Sequence, residues 1–385
     1  MSKHHRTLTK RPEQVERHDL AAYLAIVPLL SLYGHAAARE HFRRAIERGS
    51  LPASLLLQGP RGIGKQQLAL WLGRLFLCEN ADRSIAPCGK CKACRMALQG
   101  HHPDLHWFFP RPRLKGGDPD VDDIREDVAE GIEDRLRAGG LYEPSAGDEA
   151  IYVATVRAIV QIAAISPALS RRKVFVIGDA ERMVAQEGSD QAANAFLKLL
   201  EEPPDDTTII LTSSEPGALL PTIRSRVVSI RVPPLSRSEM ADFLADPVVV
   251  KQLDSPDERT RDELIEVAGG APGRLMDSDA WRAALAEAKR FLDAARAPDR
   301  GPRMRVALGQ STAGARGRFS DTLDALTVLL HDRSRDAAAA GDGRRASGAA
   351  RAVEIVEEVK EQTLRNVNPQ LLTASLLRRI APLVA

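Results

Sequence analysis

Aromatic side chains are scarce in this sequence, with 3 Trp, 4 Tyr and 9 Phe among 385 residues, so Leu, Ile, Val and Ala must fill the interior. That excludes an aromatic-rich β-sandwich and favours helices with buried parallel strands. No run of about 18 apolar residues occurs, which leaves no candidate membrane-spanning helix. The opening MSKHHRTLTKRPEQVERHDL lacks the apolar centre of a secretory signal and reads as a charged, solvated tail. A large excess of one charge is missing too: the net charge is +2. A domain that grips DNA alone concentrates far more positive charge, so DNA contact is left to local patches. Cysteine is rare, at 4 residues. A cytoplasmic location is expected, where thiols stay reduced, and disulfides are not expected.

What is present is organised in blocks. A chain of 385 residues exceeds one ordinary core and points to two or three domains. Residues 1–23 are the tail. Over 24–234, SLLLQGP, HPDLHWFF, RRKVFVIGDA, TTIILTSS and VVSIRVPPL read as strands. Helical segments such as VATVRAIVQIAAISPALS and QAANAFLKLLEEPP alternate with them, the latter stopped by paired prolines. This alternation predicts a parallel sheet with helices on both faces. Residues 110–150 are polar, acidic and Gly-containing, an insertion whose order the sequence leaves open. Residues 235–281 read as short helices and 282–385 as an all-helical region, interrupted by loops near APDRGP and AAAAGDGRRASGAA.

Gly59-Pro60-Arg61-Gly62-Ile63-Gly64-Lys65 fits G-x-x-x-x-G-K between a strand and a helix. Glycines let successive N–H groups turn inward, and the helix N-terminus adds partial positive charge for phosphate. The next residue should be Ser or Thr, whose hydroxyl ligates magnesium, and here it is Gln66. The second metal group should be an acid at the end of VFVIGD, where Gly178 stands, with Asp179 following. Magnesium is held weakly without compact oxygen ligands, so the site is expected to be degenerate. Asp179 is a candidate stand-in, by a one-residue shift onto the metal or as a shortened base. The sequence leaves ATP binding without hydrolysis open.

Cys78, Cys88, Cys91 and Cys94 form C-x9-C-x2-C-x2-C and use every cysteine in the chain. Such spacing lets four thiolates converge on one tetrahedral ion, which predicts a structural zinc module over 78–99. An iron–sulfur cluster is the competing ligand. Four thiolates already saturate zinc, so His101, His102 and His106 read as surface or strand residues.

The phosphate loop, the four-cysteine insert, HPDL, KVFVIGDAERM, ANAFLKLLEEPP and PTIRSRV occur together in an order that resembles the AAA+ clamp-loader subunits of bacterial DNA polymerase III. The likeness covers about Leu32 to Arg274 with gaps. The departures at Gln66 and Gly178 favour the delta-prime type over its gamma and tau relatives. The resemblance implies an α/β P-loop AAA+ module, a small helical lid over 235–281 and a C-terminal helical collar over 282–385. It also implies a hetero-oligomeric ring with gamma/tau-type and delta-type subunits, acting on a sliding clamp and primed DNA within a DNA-directed DNA polymerase holoenzyme. Ser225-Arg226 falls on the family's S-R-C motif with Val227 in place of Cys, which makes Arg226 an expected arginine finger for a neighbour's ATP site. Thr212 and Ser213 fall at its first sensor, and Arg274 at its second.

Two other functions compete with an ATPase-defective assembly subunit. An active ATPase of the gamma or tau type requires metal ligands where Gln66 and Gly178 stand. A zinc-dependent DNA-binding AAA+ protein predicts strong, salt-sensitive binding by the isolated chain, which the small net charge disfavours.

Overall fold

The computed structural model describes residues 29, 31–80, 86–114, 118–140, 149–183, 190–253, 260–276, 278–310, 316–363 and 368–384. The expected tail over 1–23 lies outside the described residues. All five expected strands form: β1 (Ser54–Gln58), β2 (Leu105–Phe108), β3 (Lys173–Ile177), β4 (Thr207–Ser213) and β5 (Val228–Arg231). They make one parallel sheet in the order β2-β3-β4-β1-β5. Every residue of β3 and β4 is buried, as a strand covered on both faces requires, and each has an apolar centre, Val174–Ile177 and Ile209–Leu211.

Side chains alternate between two cores. Leu55, Leu57, Val174 and Val176 face one core, with Leu68 and Leu72 of helix α2 (Lys65–Leu77). Leu56, Phe175, Ile177 and Ile209 face the other, with Ile159 of α5 (Val153–Ala163) and Phe196 of α6 (Asp190–Glu201). The remaining helices of this layer are α1 (Ala36–Glu47), α3 (Lys92–Leu98), α4 (Val121–Arg137) and the single turn α7 (Pro221–Arg224). The module is therefore a three-layer P-loop α/β fold with its glycine loop at the C-terminal end of β1.

One stretch that the sequence left open is largely helical, and one expected loop is shorter than its composition suggested. The 110–150 insertion contains a 17-residue helix, α4, opened by a capping box in which Asp120 accepts from the N–H groups of Asp122 and Asp123. Its Ile124 and Val128 pack into the second core, and Arg111 grips Asp127 at 2.9 Å. Residues 141–148 of the insertion lie outside the described residues. The loop expected around AAAAGDGRRASGAA shrinks to residues 340–342, between α13 (Arg316–Ala339) and α14 (Gly343–Thr363). Alanine favours helix on both sides. Gly341 supplies the left-handed turn at φ 74, and Asp342 Oδ1 accepts from Arg345 N at 3.0 Å.

Past β5, α8 (Arg237–Phe243), α9 (Pro247–Gln252) and α10 (Arg261–Ala268) surround a small core of Leu235, Met240, Phe243 and Ile265, closed by a 3-10 turn over Pro272–Leu275. Capping boxes start α8 at Ser236 and α10 at Thr260. The last helices, α11 (Ser278–Arg296), α12 (Gly301–Leu308), α13, α14 and α15 (Pro369–Val384), bury their own core around Phe291, Leu326, Val356 and Leu376. Among the described residues no helix is long and apolar enough to cross a membrane.

Candidate functional site

The loop after β1 has the geometry its glycines predict. Gly62 and Gly64 sit at φ 78 and φ 89, where L side chains are strained. A Cβ on Gly59 would lie 2.3 Å from Val232 O. Helix α2 starts at Lys65 with no side-chain cap at Gly64, so its partial positive charge faces the loop. Lys65 is buried, and its Nζ donates to Gly59 O (2.9 Å), Pro60 O (2.8 Å) and Ser214 Oγ (2.8 Å). Burial lowers its pKa, opposed by the nearby Asp179 and Glu181 charges. The loop is also held from outside. His35 Nε2 meets Ile63 O at 2.8 Å, and Gly273 N, from the 3-10 turn, donates to Gly62 O at 2.9 Å. These pieces line a cavity of about 140 Å³ that reaches Tyr33, Phe243 and Met276 at its apolar end.

The metal position is filled by protein. Gln66 is buried, and its Oε1 accepts from Trp107 Nε1 and from an Arg135 guanidinium nitrogen, each at 3.0 Å. Its Nε2 donates to Asp179 Oδ2 at 3.1 Å. A Cβ added to Gly178 would lie 2.4 Å from this amide: Gln66 occupies the space that a carboxylate side chain at 178 would need. Arg135 arrives from α4, its guanidinium carbon 3.3 Å from the centre of the Phe109 ring. Neither of the two positions expected to hold magnesium carries a free oxygen ligand: Gln66 Oε1 is taken by two donors and residue 178 is a glycine. Those two residues do not fit the ion, and the Asp179 carboxylate beside them is engaged by the Gln66 amide.

Asp179 stands at φ 47, a left-handed position that Asp tolerates, and its N–H donates to Thr212 Oγ1 at 3.2 Å. Ser213 Oγ accepts from Glu215 N at 3.1 Å. Both expected first-sensor residues are thus engaged with backbone. Sequence reasoning missed Glu181, two residues past Asp179, whose Oε1 accepts from Ser214 N at 2.9 Å. Burial, with the Asp179 charge adding to it, pushes the Glu181 carboxyl up to about 7. Arg274 points away from the loop. Its guanidinium stacks on Trp281 at 3.9 Å and donates to Ala268 O at 3.1 Å, and burial lowers its pKa to about 10. Arg226 lies outside this cluster, on the turn after α7, bonded to Glu201 Oε2 and Thr222 O at 3.0 Å each.

A second site gathers the cysteines. Cys78 ends α2, Cys91 caps α3 and Cys94 lies on its first turn. Their three Sγ atoms and that of Cys88 fall within 4.8 Å of one another. Two of the separations are 3.9 and 4.0 Å, close to the ~3.8 Å between sulfurs of a tetrahedron with 2.3 Å bonds. The N–H groups of Cys91 and Cys94 point at Cys88 and Cys91 sulfurs at 3.3 and 3.4 Å, and N–H groups of Cys91 and Lys90 bring the Cys88 thiol down to about 6. Arg74, one turn before Cys78, supplies a buried positive charge beside the sulfurs. The donor set fits a zinc ion.

The histidines stand apart from it. His102, expected at the surface or in a strand, is buried. Its Nδ1 accepts from Asp104 N at 3.1 Å, and Asp104 accepts from the N–H groups of Ala168, Leu169 and Ser170 at 2.6 to 2.9 Å. The HPD triplet is a brace for that loop. His106 stacks on Phe175 at 4.8 Å.

A glycine loop after the first strand of this parallel sheet, with a small helical unit touching the loop and a helical region behind it, defines a P-loop α/β protein with Gln66 and Gly178 at the positions expected for metal ligands. The family described as DNA polymerase III, delta subunit matches residues 34–236, more than half the chain, and the chain belongs to this family. It is 33% identical over 217 residues to DNA polymerase III subunit delta' of Pseudomonas aeruginosa, covering 56% of this chain and 52% of that one. Identity to the delta' subunit of Escherichia coli is 29% over 237 residues, 60% and 56% of the two chains. The tau/gamma subunit of Haemophilus influenzae matches at 26% over 250 residues, 64% of this chain and 30% of that one. The match thus spans about half the length of the delta' relatives.

Proposed function

We propose that this chain is the delta-prime subunit of a clamp-loader complex and does not itself hydrolyse ATP. In this reading it joins gamma/tau-type and delta-type subunits in a hetero-oligomeric ring that loads a sliding clamp on primed DNA. The AAA+ module spans 24–234, the lid 235–281 and the collar 282–385. The four cysteines hold one structural zinc. Arg226 serves a neighbouring subunit, where a fixed guanidinium neutralises charge on the transferring phosphoryl group.

The observation that carries the reading is the Gln66 amide in the space beside Gly178. Phosphoryl transfer needs a metal bridging the outer phosphates, and neither residue supplies a ligand in the usual place. Arg226 supports the finger role by its position: it is held by Glu201 on an exposed turn, outside its own loop's cavity.

Steady-state phosphate release tests both halves. The isolated chain is expected to release none, and the complex reconstituted with clamp and primed DNA is expected to turn over. Arg226→Ala in that complex is expected to lower the rate by roughly 10³-fold, in line with other arginine fingers, with the variant's melting unchanged. Wild-type turnover by the variant complex rejects the finger. Turnover by the chain alone, abolished by Lys65→Ala, rejects the non-hydrolysing assignment.

A further inference from the structure

We infer that α4 couples the cysteine cluster to the start of α2: the turn that ends α3 seats one side of α4, the other side holds Gln66 through Arg135, and losing zinc from the cluster loosens Gln66. This rests on the zinc reading above and adds a consequence for the helix behind the glycine loop.

The path begins at the sulfurs. Helix α3 spans only seven residues, too few to hold as a helix by themselves. Its start is fixed by the cluster: Cys91 is the cap, its side chain accepting from Cys94 N, and both sulfurs belong to the site. Its end is a Schellman turn, in which Gly100 N donates to Ala97 O at 3.2 Å and His101 N to Met96 O at 2.9 Å. Gly100 supplies the left-handed position at φ 71 and also the contact with α4. A Cβ there would lie 2.7 Å from Ile132 Cγ2 and 2.9 Å from Leu136 Cδ1, so the turn meets α4 with no room for a side chain between them.

The path ends on α2, one residue along α4. Arg135, the neighbour of Leu136, is buried and donates to Gln66 Oε1 at 3.0 Å. Its guanidinium lies 3.3 Å from the centre of the Phe109 ring and 5.0 Å from that of Trp107. Just past α4, Gly140 O accepts from Gln67 Nε2 at 3.2 Å. Consecutive residues of one helix therefore touch the turn behind the cluster and the first turn of α2. Leu136, Trp107 and Phe109 share a core with Leu68 and Leu72 of α2, and close packing passes a shift of α4 on rather than absorbing it. Without the metal the four thiols share no ligand, α3 loses its fixed start, and the Gly100 turn loses its place against Leu136. Helix α2 also runs from Lys65 to the cluster at Cys78, a second route that has to be told apart from α4.

Hydrogen–deuterium exchange of the full chain, zinc-loaded and stripped by a chelator, tests this, with elemental analysis recording the metal in each sample. Stripping is expected to speed exchange by about tenfold or more at 92–100, 130–140 and 66–70, and to leave α13 and α14 unchanged. In Arg135→Ala, 130–140 is expected to respond to zinc as before while 66–70 no longer does. Faster exchange confined to 86–100 overturns the inference, as does a loss of protection that extends to α13 and α14. An undiminished response at 66–70 in Arg135→Ala sends the coupling through α2 and overturns it too. Purified protein without zinc rejects the zinc reading and the coupling together, whereas bound zinc with any of those exchange results rejects the coupling alone. The zinc comparison uses the unaltered chain, so it stands whether or not the variant folds.

Discussion

At the residue scale the site is a set of exchanged roles. Lys65 bonds loop carbonyls, Gln66 fills the room that Gly178 leaves, and Glu181 is held under the end of β4 by Ser214 N. Glu181 gives a pH signature. An unfolded carboxyl of this type titrates near 4.5 and the folded one near 7, so the native state binds the extra proton between those values. The contribution of Glu181 to stability is then greatest below about 4.5 and falls as pH rises to about 7. Glu181→Gln is expected to remove most of that fall and to raise stability at pH 8 by on the order of 2 kcal/mol. Urea denaturation of both proteins across this range is the measurement, and parallel curves would contradict it.

At the element scale, what was legible in the sequence was local. The glycine loop, the cysteine spacing and the strands announce themselves within a few residues, because backbone turns, metal ligation and strand burial are short-range demands. Arg135 and Trp107 were not legible, because they meet Gln66 from 69 and 41 residues away and nothing near them in sequence marks the contact. Helix α4 had a readable signal that was passed over: Asp120 with Asp123, a capping pair. The histidine of HPD was misread because its partners, Asp104 N and Ser170 Oγ, are set by the loop it braces. The cysteine cluster joins the end of α2 to the start of α3. Purified protein is expected to contain one zinc per chain. A strong chelator should lower the melting temperature by roughly 5 °C or more, since metal binding and local folding are coupled. Elemental analysis with scanning calorimetry reads both, and metal-free protein with unchanged melting would reject the zinc module.

At the scale of the whole molecule, three blocks meet around the loop. Gly273 ties the lid to Gly62. Arg61 reaches Asp321 of α13 at 3.3 Å, and Ser320 Oγ donates to Glu215 at 2.8 Å. Behind that contact Asp324 and Lys360 pair at 2.5 Å across α13 and α14, both largely buried. Burial alone would lower the Lys360 pKa, but the Asp324 charge outweighs it and raises it. The field of this pair reaches Lys65. Asp324→Leu alone leaves the buried ammonium to Glu357, 3.7 Å away on the exposed side, and is expected to cost about 3 kcal/mol. Asp324→Leu with Lys360→Met removes both charges and is expected to recover most of the loss. Equal losses in the single and double variants, measured by denaturant unfolding, would mean that packing rather than charge governs this contact.

The fit between Gln66 and Gly178 also makes the two positions interdependent. An aspartate at 178 meets the amide already there, so Gln66 has to move first. A threonine at 66 leaves the Trp107 and Arg135 donors without their shared acceptor. A substitution at either position therefore has to be answered elsewhere in the same cluster.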